Sequence, residues 1–306
     1  MRILLTGATG YIGSAVLDAL LRHGPEHEVC ALVRTPAKAE RMKQRGAQAV
    51  VADLLAPESY AAAAEACDIV VHAAYDPKAG PAMDRVAVHT LLSALGRRAV
   101  AGHASTFIYT SGVWVLGNTP TPAAEDVPVR PIPHVEWRPA VEQAVLDSHR
   151  DGLIRTIVLR PGIVYGGARG IIGDLLKDAN NALIRVVGDG TNHWPCVYDR
   201  DLADLYLRLI AHPTAAGIFH ANDEADERVD AIVESVARYA KTVPDVRHMP
   251  LEEARAKMGG YADALALDQL VRSPRARALG WAPTLHSVAG NVARLLEEFR
   301  TAREAA

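Results

Sequence analysis

Three glycines stand three residues apart near the start of the chain, Gly7, Gly10 and Gly13, in the run T-G-A-T-G-Y-I-G from Thr6 to Gly13. That spacing suits the holding of a pyrophosphate. Gly7 permits a tight turn, Gly10 lets backbone N–H groups approach phosphates, and Gly13 lets a following helix pack close to a strand. Thr9, Tyr11 and Ile12 belong to the same loop and are read as part of the cradle. Farther along, the hydroxyls of Thr110 and Ser111 follow an apolar run and can hydrogen-bond a carbonyl oxygen. His193 lies in the polar stretch G-D-G-T-N-H-W-P, where a group that titrates near neutrality can serve as an acid.

The elements that would position these residues are legible in the hydrophobic pattern. Arg2 to Thr6 is a short apolar run, and Val16, Leu17, Leu20 and Leu21 then recur at helical spacing, so the glycines fall between a strand and a helix. The N-terminus of that helix offers partial positive charge to phosphates. His27 to Val33 reads as a second strand ending at Arg34, with Lys38 nearby. An acid at this place would hold a ribose 2′-hydroxyl, whereas a cation accommodates a 2′-phosphate, so Arg34 and Lys38 favour NADP(H), with NAD(H) the alternative.

Gln48 to Ala52 is a third strand, followed by Asp53 and Leu54; Asp53 could accept from an adenine amino group or cap a helix over Pro57 to Cys67. A fourth strand, Asp68 to Ala73, runs into Ala74 and Tyr75; Ala73, Ala74 and Tyr75 are read as lining the cofactor, the small alanines leaving room for its flat rings. His72 reads as a packed strand residue. Helices over Pro81 to Ala101 and His134 to Arg150 flank a fifth strand, Ser105 to Thr110, and a sixth spans Leu153 to Leu159. Alternation at this spacing predicts an α/β fold, a Rossmann-type doubly wound parallel sheet, with ligands outside the carboxyl ends of its strands. Ile218 to Ala221 is expected to add one more strand.

The domain reading assigns residues 1–168 and about 199–222 to dinucleotide binding, and about 169–198 and 223–306 to a smaller substrate-binding region. A proline-rich loop from Asn118 to Pro133 is expected to cover part of the substrate site, with Arg169 to Asn181 and Gly188 to Trp194. Trp114, Trp137, Trp194 and Tyr75 are large aromatics that could line a pocket or fill the core. Net charge is −3, which gives no general attraction to nucleic acid or anionic membrane. Cys30, Cys67 and Cys196 are scattered and odd in number, suggesting neither a disulfide framework nor a zinc site. The N-terminus enters a strand directly, so the expectation is a cytoplasmic protein acting on a small molecule, with no nucleic-acid or membrane partner and no metal.

Taken in order, T-G-A-T-G-Y-I-G, Asp53-Leu54, V-V-H-A-A (Val70 to Ala74), F-I-Y-T-S-G (Phe107 to Gly112), L-R-P-G-I-V-Y-G (Leu159 to Gly166) and D-R-D-L-A (Asp199 to Ala203) resemble the extended short-chain dehydrogenase/reductase superfamily. The resemblance covers roughly the first 220 residues. It implies a nicotinamide cofactor touched by Thr110, Pro161, Gly162 and Val164, and pairing of relatives through the helices Pro81–Ala101 and His134–Arg150, leaving a monomer or a homodimer.

The resemblance also implies a Tyr and a Lys four residues apart, the Lys lowering the Tyr pKa so that the phenol exchanges a proton with substrate. None of the nine tyrosines here has a lysine four residues later. Setting Val141-Glu142 on the residues that usually follow the Lys puts Glu136 at the Tyr position and Ala140 at the Lys position, while Gly112 falls where a serine is usual. Ser111, Thr110, Glu136 and His193 are then the catalytic candidates of an atypical member. Three functions compete: an NAD(P)H-dependent ketoreductase on a bulky, aromatic or polyketide-type substrate, a nucleotide-sugar epimerase or dehydratase with bound NAD, and a non-catalytic NADP-binding sensor or interaction protein.

Overall fold

The protein is described by a computed structural model covering residues 1–23 and 26–304. Its strands in the first half are β1 (Arg2–Thr6), β2 (Glu28–Val33), β3 (Gln48–Val51), β4 (Ile69–His72) and β5 (Ser105–Thr110). They alternate with α1 (Tyr11–His23), α2 (Pro36–Gln44), the short α3 (Ala61–Glu65) and α4 (Gly80–Val100), and α5 (Arg138–Asp147) follows β5. Strands β1, β2, β4 and β5 are near-continuous apolar runs buried on both faces, the pattern of strands covered by helices on each side. β3, at one end of the order, is only partly buried.

The sheet has seven strands. Starting from one edge its order is β3, β2, β1, β4, β5, then Ile154–Pro161 and Gly217–Ala221. The pairings from β3 through to Ile154–Pro161 are parallel, with Thr6 opposite Leu32 on one side and His72 on the other. The chain winds outward from β1 in one direction to β3 and in the other from β4, so the order reverses at β1 and β4. Doubly wound sheets bind ligands at that reversal.

The chain divides into two compact units. One comprises Met1–Ser111, Trp137–Arg160 and Ala203–Phe219; the other comprises Gly112–Glu136, Pro161–Leu202 and the residues from His220 onward. This differs from the sequence-based division in placing residues 112–136, 161–168, 199–202 and 220–222 with the second unit. The second unit holds small pairings: Cys196–Tyr198 beside Ile163–Tyr165, Leu183–Val187 beside Asp245–Met249, and Thr119–Ala123 beside Gln269–Val271. Its core gathers Tyr165, Ile172, Leu176, Trp194, Tyr198, Ile232 and Leu295.

Two expectations are corrected. The segment expected as a loop from Asn118 to Pro133 contains the strand Thr119–Ala123, whose prolines sit where a two-stranded edge needs no N–H. Buried Gln269 donates to the carbonyls of Val113 and Gly117, and buried Glu125 accepts from the His220 amide, so the segment is anchored within its unit. The helix expected over His134 to Arg150 starts as a 3-10 turn, Pro133–Val135, and α5 proper begins at Arg138. Pro139 explains this, because proline is tolerated only in a first helical turn. The helix expected over Ile171 to Asn180 is present as Gly170–Asn180, with a buried apolar face.

Two predictions follow from packing. A Cβ on Gly13 would lie 2.1 Å from the Gly7 carbonyl oxygen, so Gly13→Ala should cost about 1–3 kcal/mol, read as a lower urea midpoint at unchanged slope. Asp223 is buried in the second unit, and burial first of all pushes its pKa up to about 7. Unfolded, it would release its proton near pH about 4, so the stability it contributes when protonated is present below that pH and lost as pH rises towards 7. The melting temperature of the native chain should therefore fall more between about pH 5 and 8 than that of Asp223→Asn; parallel curves would refute the assignment.

Candidate functional site

The glycine loop follows β1 and opens α1. Gly7 has φ of 73°, and a Cβ there would stand 2.5 Å from the carbonyl oxygen of Ala73, the residue after β4. The two strand ends at the sheet's reversal thus approach so closely that only glycine fits. The Gly10 amide donates to the Gly7 carbonyl at 2.7 Å, closing the turn, and Thr9, Tyr11 and Ile12 bring the backbone to the start of the helix. The first turn of α1 contains no acidic residue, so nothing opposes an anion at its N-terminus. A glycine turn opening a helix is a geometry suited to phosphate groups, and Ala73 and Ala74, which follow β4 beside it, are both partly exposed.

At the outer end of this cradle Arg34 follows β2 and is exposed, and its Nη1 bonds Asp76 Oδ2 at 2.7 Å. The Lys78 amide first, and then Arg34, hold the Asp76 carboxyl below its usual range. Thr35 caps α2 by accepting from the Lys38 amide, which sets Lys38 in the first turn. Asp53 is exposed and its Oδ1 accepts from the Leu55 amide, a local turn rather than a helix cap, while Leu54 is buried.

The carboxyl end of β5 carries the polar groups. Thr110 Oγ1 lies 2.6 Å from the Tyr206 hydroxyl. Ser111 is buried, and its hydroxyl donates to Glu142 Oε1. Glu142 is also clamped by Arg160, Nε to Oε1 at 3.1 Å and Nη2 to Oε2 at 2.6 Å, with both side chains 3% exposed. The one proton of the Ser111 hydroxyl is therefore already committed.

Beside it, Arg138 Nη1 donates to the Thr110 carbonyl and to the Tyr109 hydroxyl, each at 3.3 Å. Tyr109 donates onward to Asp84 Oδ2 at 2.8 Å; Asp84 Oδ1 lies 3.3 Å from His72 Nε2, and His72 Nδ1 lies 2.8 Å from Thr6 Oγ1. Burial pushes the Asp84 carboxyl up, but the hydrogen bonds from His72 and Tyr109 and the Arg138 charge outweigh it, leaving the group below its usual range. Burial, with Asp84 adding to it, raises the Tyr109 phenol well above its ordinary value, which removes it as a neutral-pH acid or base. His72 is the packed strand residue expected, tied into this chain.

The remaining candidates belong to the second unit. Pro161 ends the strand Ile154–Pro161, Gly162 donates its amide to the Ala221 carbonyl, and Val164 pairs with Val197. Glu136 is exposed, and its carboxylate has no hydrogen-bond or ion-pair partner among the described residues. His193 Nδ1 pairs with Asp268 Oδ1 at 2.8 Å. The tryptophans do not form one group. Trp194 is core, its Nε1 bonded to the Leu265 carbonyl; Trp114 meets His134 and Tyr261 edge-on; Trp137 stacks on Tyr75 in the first unit.

Sequence reasoning missed Arg138, Asp84, Glu142 and Arg160. Signals existed: Asp84 is an acid on the buried face of α4, and Glu142 stands one helical turn after Arg138. A cavity of about 410 Å³ between α4 and α5, lined among others by Val88, His89, Leu92 and Ala144, touches none of the strand-end residues.

Residues 3–221 match the NAD dependent epimerase/dehydratase family. The chain is 32% identical to Oxidase ucsJ of an Acremonium species over 74% of this chain and 68% of that one. It is 28% identical to the 2-alkyl-3-oxoalkanoate reductase of Stenotrophomonas maltophilia over 65% of this chain and 62% of the reductase. Its fold superimposes on the crystal structure of Thermus thermophilus UDP-glucose 4-epimerase in complex with NAD with a TM-score of 0.80, at 22% identity, over 99% of this chain and 100% of the other. Among the described residues no helix is long and apolar enough to cross a membrane.

The buried ion pair makes a direct stability prediction. Glu142→Ala strands the Arg160 charge and should cost about 3–5 kcal/mol, whereas replacing both Glu142 and Arg160 by methionine should recover much of the loss. Chemical melts of the three proteins read this, and a double variant no better than Glu142→Ala would contradict it.

Proposed function

The chain belongs to the NAD dependent epimerase/dehydratase family, and on that premise we propose that it is an NADP(H)-dependent ketoreductase acting on a bulky carbonyl compound. The observation that carries this reading is that no free base stands at the end of β5: the Ser111 hydroxyl donates to Glu142, itself neutralised by Arg160, and the Tyr109 phenol donates to buried Asp84. A reaction that begins by oxidising a sugar hydroxyl needs a base at that hydroxyl, and no side chain at the ends of β4 and β5 is poised to be one. Reduction of a ketone needs instead a positioned carbonyl, stabilisation of charge on its oxygen, and a proton that water can supply. When bound, the reduced nicotinamide supplies the hydride. Thr9 to Gly13 and Arg34 fix that cofactor, and Ala73 and Ala74 leave it space. The 2-alkyl-3-oxoalkanoate reductase among the relatives is named for the same class of reaction.

Cofactor choice rests on Arg34. A 2′-phosphate beside it would form charge-assisted bonds worth about 1.5–3 kcal/mol, in competition with Asp76. Calorimetric titration should show NADPH binding more tightly than NADH. Arg34→Ala should weaken NADPH about tenfold to a hundredfold and leave NADH nearly unchanged. Asp76→Asn should strengthen NADPH binding. Equal affinity for the two cofactors, or NAD retained through purification, would overturn the NADP assignment. The reductase arm is read by loss of nicotinamide absorbance with 3-oxo esters; interconversion of a nucleotide sugar in place of such loss would overturn it.

A further inference from the structure

Tyr75, Trp137 and Arg138 form a stack that the catalytic candidates leave unused. The rings of Tyr75 and Trp137 lie 5.9 Å apart and 12° from parallel, and the Arg138 guanidinium sits 4.6 Å from the Trp137 ring centre and 5.3 Å from that of Tyr75. All three belong to the first unit, at the carboxyl ends of β4 and β5. Tyr75 is 42% exposed, so the stack is partly open to solvent.

Arg138 is oriented by Nη1, which donates to the Thr110 carbonyl and the Tyr109 hydroxyl at 3.3 Å each, and Tyr109 is braced by buried Asp84. Only Nη1 is used in this way. Among the described residues, Nε and Nη2 make no hydrogen bond, and no carboxylate forms an ion pair with the guanidinium. A fixed cation with donors to spare, beside two aromatic faces, has the makings of a receptor for a flat, electron-rich group bearing an anionic oxygen.

We propose that this platform binds the reacting end of the substrate, and that the substrate is a planar conjugated carbonyl compound whose oxygen meets Arg138. This rests on the ketoreductase reading and narrows it. Ring or enone stacks on Tyr75 and Trp137. As hydride reaches the carbonyl carbon, the π pair moves onto the oxygen, where the guanidinium offsets the growing negative charge; water then protonates the alkoxide, giving the alcohol and oxidised cofactor. Arg138 is the electrostatic partner in this scheme and transfers no proton.

The test uses p-nitrophenol, a flat probe whose phenolate is visible and which titrates near neutrality, with the full chain in the presence of NADP⁺. Opposite charge next to the phenolate should lower its apparent pKa by about one unit on binding. Arg138→Met should abolish the shift and Arg138→Lys should keep part of it. Tyr75→Leu, at an exposed position, should weaken binding about tenfold while leaving the shift of the bound probe intact. Thermal melts establish that each variant is folded. Failure of the native chain to bind the probe, binding without a shift, or an undiminished shift in folded Arg138→Met would each overturn the proposal. Should Arg138→Met not fold, a Tyr75→Leu protein that binds the probe as tightly as the native chain would overturn it alone. A native chain that reduces 3-oxo esters but shows no probe shift sinks the platform and spares the ketoreductase; a shift without any NADPH-dependent reduction does the reverse.

Discussion

The buried pair Glu142–Arg160 is the interaction on which the first unit's chemistry depends. Two charges taken this far out of water are tolerated only when nearly every lone pair and proton has a partner. Here one carboxylate receives Arg160 through two nitrogens and Ser111 through its hydroxyl. The pair therefore ties three elements at once: α5, the strand Ile154–Pro161 and the end of β5. A shift of α5 by one residue would pull Glu142 off Arg160 and leave both charges stranded, so the helix has one register. Arg138, one turn before Glu142, is brought to Tyr109 and Thr110 by that same register.

What this anchoring gives to the ends of the strands is a cation, and what it removes is a proton donor. Ser111 looks like a catalytic hydroxyl when only its place after β5 is known. Once its hydrogen is engaged by a carboxylate, the group can accept but not give. The guanidinium carries a charge that does not depend on pH in the range where proteins fold. It is suited to stabilising negative charge and unsuited to storing or removing protons, and this favours reduction over reactions that begin by deprotonating an alcohol.

The Rossmann architecture was legible because its signals are local. The buried strands read as apolar runs, and the three glycines between strand and helix carry a steric demand that the Gly13–Gly7 approach makes explicit. Even the strand Gly217–Ala221 showed in its apolar pattern. The second unit was harder. Four of the five residues of Thr119–Ala123 are proline or threonine, and the strand pairs with residues about 150 positions away, so nothing near it in sequence announces a strand. The start of α5 was misplaced because the apolar rhythm continues upstream of Pro139. At the site, glycine positions were readable as backbone geometry, whereas Ser111, Glu142 and Arg138 take their meaning from partners 18 to 31 residues off. Setting the helix on a family pattern drew attention to Glu136, which is exposed; the ion pair of Glu142 sets it by physics and leads to Arg138.

The polar chain from Thr6 through His72, Asp84 and Tyr109 to Arg138 gives this arrangement its logic. Thr6 is the last residue of β1 and adjoins Gly7, so the chain begins where the phosphate cradle begins and ends at the cation. Asp84 is costly to bury, and the hydrogen bonds of His72 and Tyr109 lower that cost by keeping its carboxylate solvated from within. In turn its negative charge, relayed through the Tyr109 hydroxyl, holds an arginine whose remaining donors face no acid. If Asp84 bonded Arg138 directly, the guanidinium would be neutralised and of little use to a substrate oxygen. Interposing a phenol that cannot ionise near neutrality keeps the cation in place while leaving its charge available, and that separation is what a site built on a fixed charge requires.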